Sequence, residues 1–213
     1  MLGMIIGVNA TSQTVGYARL SSNGSAAFQW DASACIEALP RQLHALCQGQ
    51  PPLTGALVVL GPGGYTGLRV SLTALKMMQL VHRVPLKGVS LFDAYMATVF
   101  SMLDGIVVIT SPSRKGTVNA QFFQTDGRSF SAISSLLQLS HQRLATTLGS
   151  FKSPIQWHWF DDMPIPNPPM IQQKKASLNM VDAMAHYKST ILAMPVDKQR
   201  LTPIYSCPPV GVK

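Results

Sequence analysis

The sequence predicts an α/β protein in which one strand-and-helix plan occurs twice. Three observations carry that reading. Apolar runs and turn signals in the first half follow the order β-β-β-α-β-α-β-α. From about residue 106 the same kind of order restarts, with an apolar strand, a hairpin and a helix. Residues 56–60, Ala-Leu-Val-Val-Leu, are short and wholly apolar, as suits a strand buried on both faces of a sheet. The halves share a pattern rather than visible identity. They divide the chain into expected lobes 1–104 and 105–213.

In chain order, residues 4–8 are a continuous apolar run, 15–20 a second strand and 26–30 a third. Ser21-Ser22-Asn23-Gly24 is the turn between the last two, so two hairpins in series are expected. A helix is predicted over 33–47, with Ser33 as N-cap, Glu37 in its first turns, and Ile36, Leu39, Leu43 and Leu46 at helical spacing. Pro40 falls inside it and is expected to kink it. Pro51-Pro52 forces an extended link to the 56–60 strand. A helix over 68–81, a strand over 86–89 and a helix over 90–102 complete the first half. The second half reads as strands over 106–109 and 117–123, a turn at Asp126-Gly127 and a strand over 128–130. A helix between 132 and 148, a strand over 155–160, a proline-rich loop over 164–169 and a helix over 176–194 follow.

Composition bounds the function. Apolar residues make up 46% of the 213, enough for a substantial core, while charged residues are only 12%. So sparse a charge favours a surface partly covered by a partner. The net charge of +8 permits an acidic partner or nucleic acid, but the cations are scattered in loose groups: Arg114-Lys115, Lys174-Lys175, Lys198 with Arg200. Three cysteines (Cys35, Cys47, Cys207) without a C-x-x-C argue against a disulfide framework or a zinc ribbon. Reduced thiols, no secretory signal and no run of about 18 apolar residues lead to a cytoplasmic expectation without membrane contact.

The most informative stretch is the loop after residues 56–60, "GPGGYTGLR". A glycine-rich turn between a strand and a helix can cradle phosphate on the helix's first N–H groups. The loop lacks the lysine of a P-loop, however, and Lys76 lies well down the helix. The nearest downstream acid, Asp93, falls on the next helix, where it is poorly placed to hold a nucleotide's magnesium. Glycines here serve equally for tight turning and close helix approach, and that reading is preferred.

The helix that follows is apolar over far more than one stripe. Leu68, Leu72 and Leu75 share one face; Val70, Ala74, Met77 and Val81 share another, with Met78 between them. Arg69, Thr73 and Lys76 form the narrow polar remainder. A surface helix needs an apolar stripe a little over ~100° wide, and this one covers roughly twice that. One face would lie on the helix's own sheet. The other would meet either another helix of the chain or a second protein.

These residues resemble a known family. Gly61-Pro62-Gly63-Gly64-Tyr65-Thr66-Gly67-Leu68-Arg69-Val70 is similar to the G-P-G-S-F-T-G-L-R-I signature of bacterial TsaB (YeaZ) proteins, with Gly64 and Tyr65 in place of Ser and Phe. Pro85-Leu86-Lys87-Gly88-Val89-Ser90 resembles the family's P-L-x-G-V-S, "VITSPSRKGTVNAQFF" its central hairpin, and Leu201-Thr202-Pro203-Ile204-Tyr205 its C-terminal P-x-Y-L-R. The resemblance implies a duplicated ribonuclease-H-like fold of the actin/sugar-kinase/Hsp70 class with mixed sheets. It implies a partner subunit, without its own active site, that supports a TsaD-type catalytic paralogue in threonylcarbamoyladenosine modification of tRNA. A TsaE-type ATPase joins them, so ATP is used by the complex while this chain alone binds no cofactor. It further implies that the helix after the glycine signature is the pairing surface, here Leu68, Val70, Leu72, Ala74, Leu75, Met77, Met78 and Val81, and that self-association uses the same region. Contact with tRNA would be indirect. The chain departs from the family where acids are expected: Asn9 stands for the early Asp, Thr110 or Ser111 for the hairpin Asp, and Asn119 for its Glu. Asn9 cannot supply a negative charge.

Other chemistries fit poorly. His44, His82, His141, His158 and His186 never fall four apart, so no helical metal pair is expected. G-x-S-x-G is absent, Cys35 and Cys47 fall on an amphipathic helix, and adjacent Asp161 and Asp162 point opposite ways on a strand end. The alternative function is a small-molecule kinase or nucleotide-binding protein of the same fold class, using the 61–67 loop.

Overall fold

The computed structural model describes residues 3–31, 38–114, 116–151, 153–161, 171–196 and 201–206. Five strands form the first sheet: β1 (Met4–Asn9), β2 (Thr14–Ser21), β3 (Gly24–Asp31), β4 (Leu53–Val59) and β5 (Leu86–Val89). Their spatial order is β3-β2-β1-β4-β5. The β1–β2–β3 meander is antiparallel, whereas β4 runs parallel to β1 and β5 parallel to β4. Central β4 is buried along most of its length, as its unbroken apolar run requires.

The second sheet repeats the plan. It contains β6 (Gly105–Pro112), β7 (Thr117–Thr125), β8 (Phe130–Ala132), β9 (Leu137–Ser140), β10 (Ile155–Trp159) and β11 (Ile171–Lys175). The path β8-β7-β6-β10-β11 has the same order and the same antiparallel-then-parallel pairing as β3-β2-β1-β4-β5, with β9 added against β7. The fold is therefore a duplicated mixed-sheet unit of the ribonuclease-H-like class.

Five α-helices are described: α1 (Leu39–Cys47), α2 (Tyr65–His82), α3 (Leu91–Val99), α4 (His141–Ser150) and α5 (Met180–Ala193). By packing, the chain divides into Met1–Ala94 with Asn179–Lys213, and Tyr95–Leu178. The expected division at 104/105 follows chain order alone. Packing sets it inside α3 and returns the last helix to the first sheet. The reason is visible in the glycines of that sheet: a Cβ on Gly7 would lie 2.8 Å from the Met184 sulfur, and one on Gly55 would lie 2.5 Å from Ile191. Helix α5 thus packs on one face of β1 and β4. On the other face, Leu39 and Leu43 of α1 and Leu72 and Leu75 of α2 close over Met4, Ile6 and Val8. The second unit's core joins Val108, Val118, Phe122 and Trp157 to Leu144 and Leu148 of α4.

Several boundaries differ from expectation for local reasons. Pro40 occupies the first turn of α1, where its missing N–H costs nothing, so no kink results. The expected cap Ser33, with Glu37, lies outside the described residues. The 132–148 helix begins only at His141, because 137–140 pairs with β7 and Ser140 caps the helix by accepting from the Arg143 N–H at 3.2 Å. The last helix starts at Met180, where Asn179 accepts from the N–H groups of Val181 and Asp182. Ser90 caps α3: its Oγ accepts from the Asp93 N–H at 2.9 Å and donates to Asp93 Oδ2 at 2.7 Å. The proline-rich 164–169 segment lies outside the described residues.

Candidate functional site

The site is built around the loop that joins β4 to α2. Its backbone is tied down on three sides. The Gly61 carbonyl accepts from the Leu91 N–H at 2.6 Å, and the Leu60 N–H donates to Val89 at 2.8 Å. The segment 201–206 runs alongside as a strap: the Ile204 N–H donates to Leu60, the Gly63 N–H donates to Ile204 at 3.2 Å, and the Ser206 N–H donates to Gly63. Gly63 and Tyr205 form a parallel bridge. On the third side, the Gly64 N–H donates to the Thr11 carbonyl at 3.1 Å.

Close approach explains the glycines. Gly61 has φ +113°, and a Cβ there would fall 2.0 Å from the Ile204 carbonyl oxygen. A Cβ on Gly67 would lie 2.4 Å from the Ala10 carbonyl oxygen, so α2 meets the end of β1 backbone to backbone. Gly64 differs: its φ is −69°, and a Cβ there would meet nothing within 4 Å.

A phosphate cradle needs loop N–H groups aimed at the anion. Here Gly63 and Gly64 spend theirs on protein carbonyls, and Pro62, which is buried, has none. The neighbouring Asn9 is likewise engaged, its Oδ1 accepting from the Thr11 hydroxyl at 2.8 Å and the Thr11 N–H at 3.3 Å. In the second unit, Thr110 Oγ1 accepts from the buried Trp157 indole at 3.0 Å. Asn119 donates to the Pro112 carbonyl at 3.1 Å and reaches Ser111 at 3.5 Å. Each position where an acid was expected holds a neutral side chain bonded within its own unit. Among the described residues, no three His, Cys, Asp or Glu side chains group in a way that could hold a metal ion.

The loop launches α2. Arg69 lies over the Tyr65 ring, 5.0 Å from its centroid, and also donates to the Tyr65 hydroxyl. Tyr65 in turn packs on Tyr205 with ring centroids 4.9 Å apart. Thr66 is exposed beside them. Of the residues expected to meet a partner, Leu68, Leu72, Ala74 and Leu75 are buried in the chain's own core, and Val70 and Met78 pack against it half-buried. Met77 and Val81 remain exposed, at 57% and 72%. Leu80, at 73%, joins them and was absent from the sequence reading, although it follows Met77 at the i+3 spacing of one helical face. The outward strip of α2 is thus Met77, Leu80 and Val81, with exposed Arg69, Thr73 and Lys76 beside it.

The other singled-out groups are dispersed. His158 is buried on β10, its Nδ1 2.8 Å from the Tyr95 hydroxyl. Burial first, and Lys174 second, lower its pKa to about 4, while burial pushes Tyr95 up to about 12. Burial also lowers His186 on α5 and raises the Cys47 thiol on α1. Cys35, Cys207 and Asp162 lie outside the described residues, and Asp161 is exposed.

A crystal structure described as an uncharacterised protein with similarity to peptidase YeaZ, from Pseudomonas aeruginosa, aligns with a TM-score of 0.71 at 12% identity. It covers 95% of this chain and 99% of that one. YeaZ from Pseudomonas aeruginosa aligns over the same shares with a TM-score of 0.70 and 13% identity. The fold is YeaZ-like. No family model matches the sequence, and no curated protein matches it. No helix among the described residues is long and apolar enough to cross a membrane.

Proposed function

We propose that this chain is a non-catalytic partner subunit of a TsaD-type enzyme and supports threonylcarbamoyladenosine modification of tRNA in the cytoplasm. The observation that carries the reading is the outward strip of α2. Met77, Leu80 and Val81 are apolar and exposed on a helix whose remaining apolar residues are already used by the core. Arg69 and Lys76 give the strip a basic margin. Such a surface fits a partner face of apolar side chains edged by acids. The glycine loop supports the role indirectly, since its N–H groups hold the chain's own strap and β1 loop. In this reading ATP is consumed by the assembled complex, through a TsaE-type ATPase, and tRNA is reached through the enzyme.

Leu80→Asp tests it. The position is exposed, so the variant should fold with an unchanged melting temperature. It should no longer co-purify with the TsaD-type protein of the same host, and modified tRNA should fall in cells that depend on it. Undiminished co-purification would remove α2 from the interface. The kinase reading is tested separately by titrating the pure protein with ATP and magnesium. No saturable binding is expected, and saturable binding with turnover would replace the subunit reading.

A further inference from the structure

Building on the partner-subunit reading, we propose that the helical layer of α1 and α2 selects its partner by charge. It takes an amphipathic helix of another protein, with an apolar seam flanked by carboxylates, and it discriminates against a second copy of this chain.

The layer carries cations and no acid. Residues 38–92 include Arg41, Arg69, Lys76, Arg83 and Lys87, and neither Asp nor Glu. Helices α1 and α2 lie side by side on one face of the first sheet, with Leu39, Leu43, Leu72 and Leu75 in one core. With those side chains turned inward, Arg41, Arg69, Lys76 and Arg83 are left exposed. The described acids of the first unit lie elsewhere. Asp31 ends β3, Asp93 is bonded to Ser90 at the start of α3, and Asp182 sits in the first turn of α5, on the opposite face of the sheet.

The cations of α2 are also periodic. Arg69, Lys76 and Arg83 recur every seventh residue, the last as the C-cap. Seven residues are close to two helical turns, so Arg69 and Lys76 stand on one side of α2, about 10 Å apart along its axis. The exposed apolar residues Met77 and Leu80 follow Thr73 at the four-then-three spacing of a helix–helix seam, and the cations run along one flank of it. In paired helices the charges on such flanks set partner choice and orientation. Exposed ion pairs add little affinity one by one, but a row of one sign speeds encounter with the opposite sign and penalises its own.

A second copy cannot supply the missing sign. Laid antiparallel on α2, it sets the cationic row against itself. Laid parallel, it brings up the other flank, where Val81 lies. Neither arrangement offers a carboxylate from α1 or α2, whereas a partner helix with Asp or Glu at seven-residue spacing satisfies the row and the seam together.

The test uses the full chain and the TsaD-type protein of the same host. Association rates are measured at about 50 mM and about 500 mM salt, and the chain alone is sedimented at both. Wild type should associate about tenfold or more faster at the lower salt. Arg69→Glu with Lys76→Glu should lose about tenfold or more of that rate and most of the salt dependence, with an unchanged circular dichroism spectrum. Arg69→Lys with Lys76→Arg should keep both. Should the Glu pair fail to fold, Arg69→Gln with Lys76→Gln is read in the same way. The chain alone should show no dimer that Leu80→Asp removes. A complex that forms equally fast at both salts, or equally fast with the Glu pair, would overturn charge selection and leave the partner-subunit reading standing. A wild-type dimer lost in Leu80→Asp would overturn it as well, since a second copy then takes the face. No complex at either salt would remove the partner-subunit reading and charge selection together.

Discussion

In the first unit, the sheet is packed by aliphatic and methionine side chains: Met4, Ile6 and Val8 on one face, with Gly7 and Gly55 admitting Met184 and Ile191 on the other. In the second, β10 alone brings two polar groups into the interior, Trp157 bonded to Thr110 and His158 bonded to Tyr95. The strand order is the same in both. The first unit is fixed in place by backbone approaches that only glycine allows; the second is fixed by buried hydrogen bonds. A shared topology therefore leaves two different weaknesses. One unit breaks when an atom is added, and the other when a proton is added.

The largest effect should come from Gly61→Ala. The variant must hold a side chain at φ +113° and place its Cβ 2.0 Å from the Ile204 carbonyl. Backbone strain and the displaced strap together should cost about 3 kcal/mol or more, read as a fall in the urea midpoint at unchanged slope. A loss below about 1 kcal/mol would show that the strap is not seated on the loop in solution, and the first unit would lose its defining constraint.

Acid should act on the second unit. The His158 pKa of about 4 lies below the ordinary 6.5, because burial and then Lys174 disfavour the imidazolium. Between those values the unfolded chain binds one proton more than the folded one at this residue, so stability is full above about pH 6.5 and declines as pH falls toward 4. The contribution is on the order of 2 kcal/mol once partial solvent screening is allowed for. Asp126, held low by backbone N–H bonds, and His186, lowered by burial, add their own slopes, so the measurement is the difference between wild type and His158→Gln in unfolding free energy from pH 7 to pH 4. The gap between them should narrow as pH falls. Parallel curves would mean that His158 titrates normally and that the polar pairs do not distinguish the two units.

Much of this contrast was legible in the sequence, and the illegible part has physical causes. The apolar runs at 4–8, 56–60 and 106–109 fixed the central strands, and the missing lysine pointed the glycine loop toward packing. Strand β11, Ile-Gln-Gln-Lys-Lys, has no apolar period; it is a strand because β10 supplies a ladder, which no local pattern encodes. The helical wheel of α2 showed two apolar faces but could not say how much of the second was covered. In the folded chain, Val70, Ala74 and Met78 turn inward, and the free strip shifts to Met77, Leu80 and Val81. The return of α5 to the first sheet is a long-range contact, read only from the space that Gly7 and Gly55 leave for it.

The smallest effect sharpens the comparison most, because it separates one glycine from its neighbours. Gly64 is the N-cap of α2, with extended backbone at φ −69° and ψ 140° and no side-chain capping bond. Nothing lies within 4 Å of where its Cβ would be. Serine there would meet no clash and could accept from a free N–H of the first turn, so Gly64→Ser should stabilise the protein by a few tenths of a kcal/mol. Gly61→Ala, three residues earlier, should do the reverse at roughly ten times the size. Thermal unfolding of the two variants side by side gives the answer: a rise of about 1–2 °C for Gly64→Ser against a large fall for Gly61→Ala. A fall for both would mean that the loop demands glycine throughout, as a cradle for a close-fitting ligand would, and the packing account of the loop would fail with it.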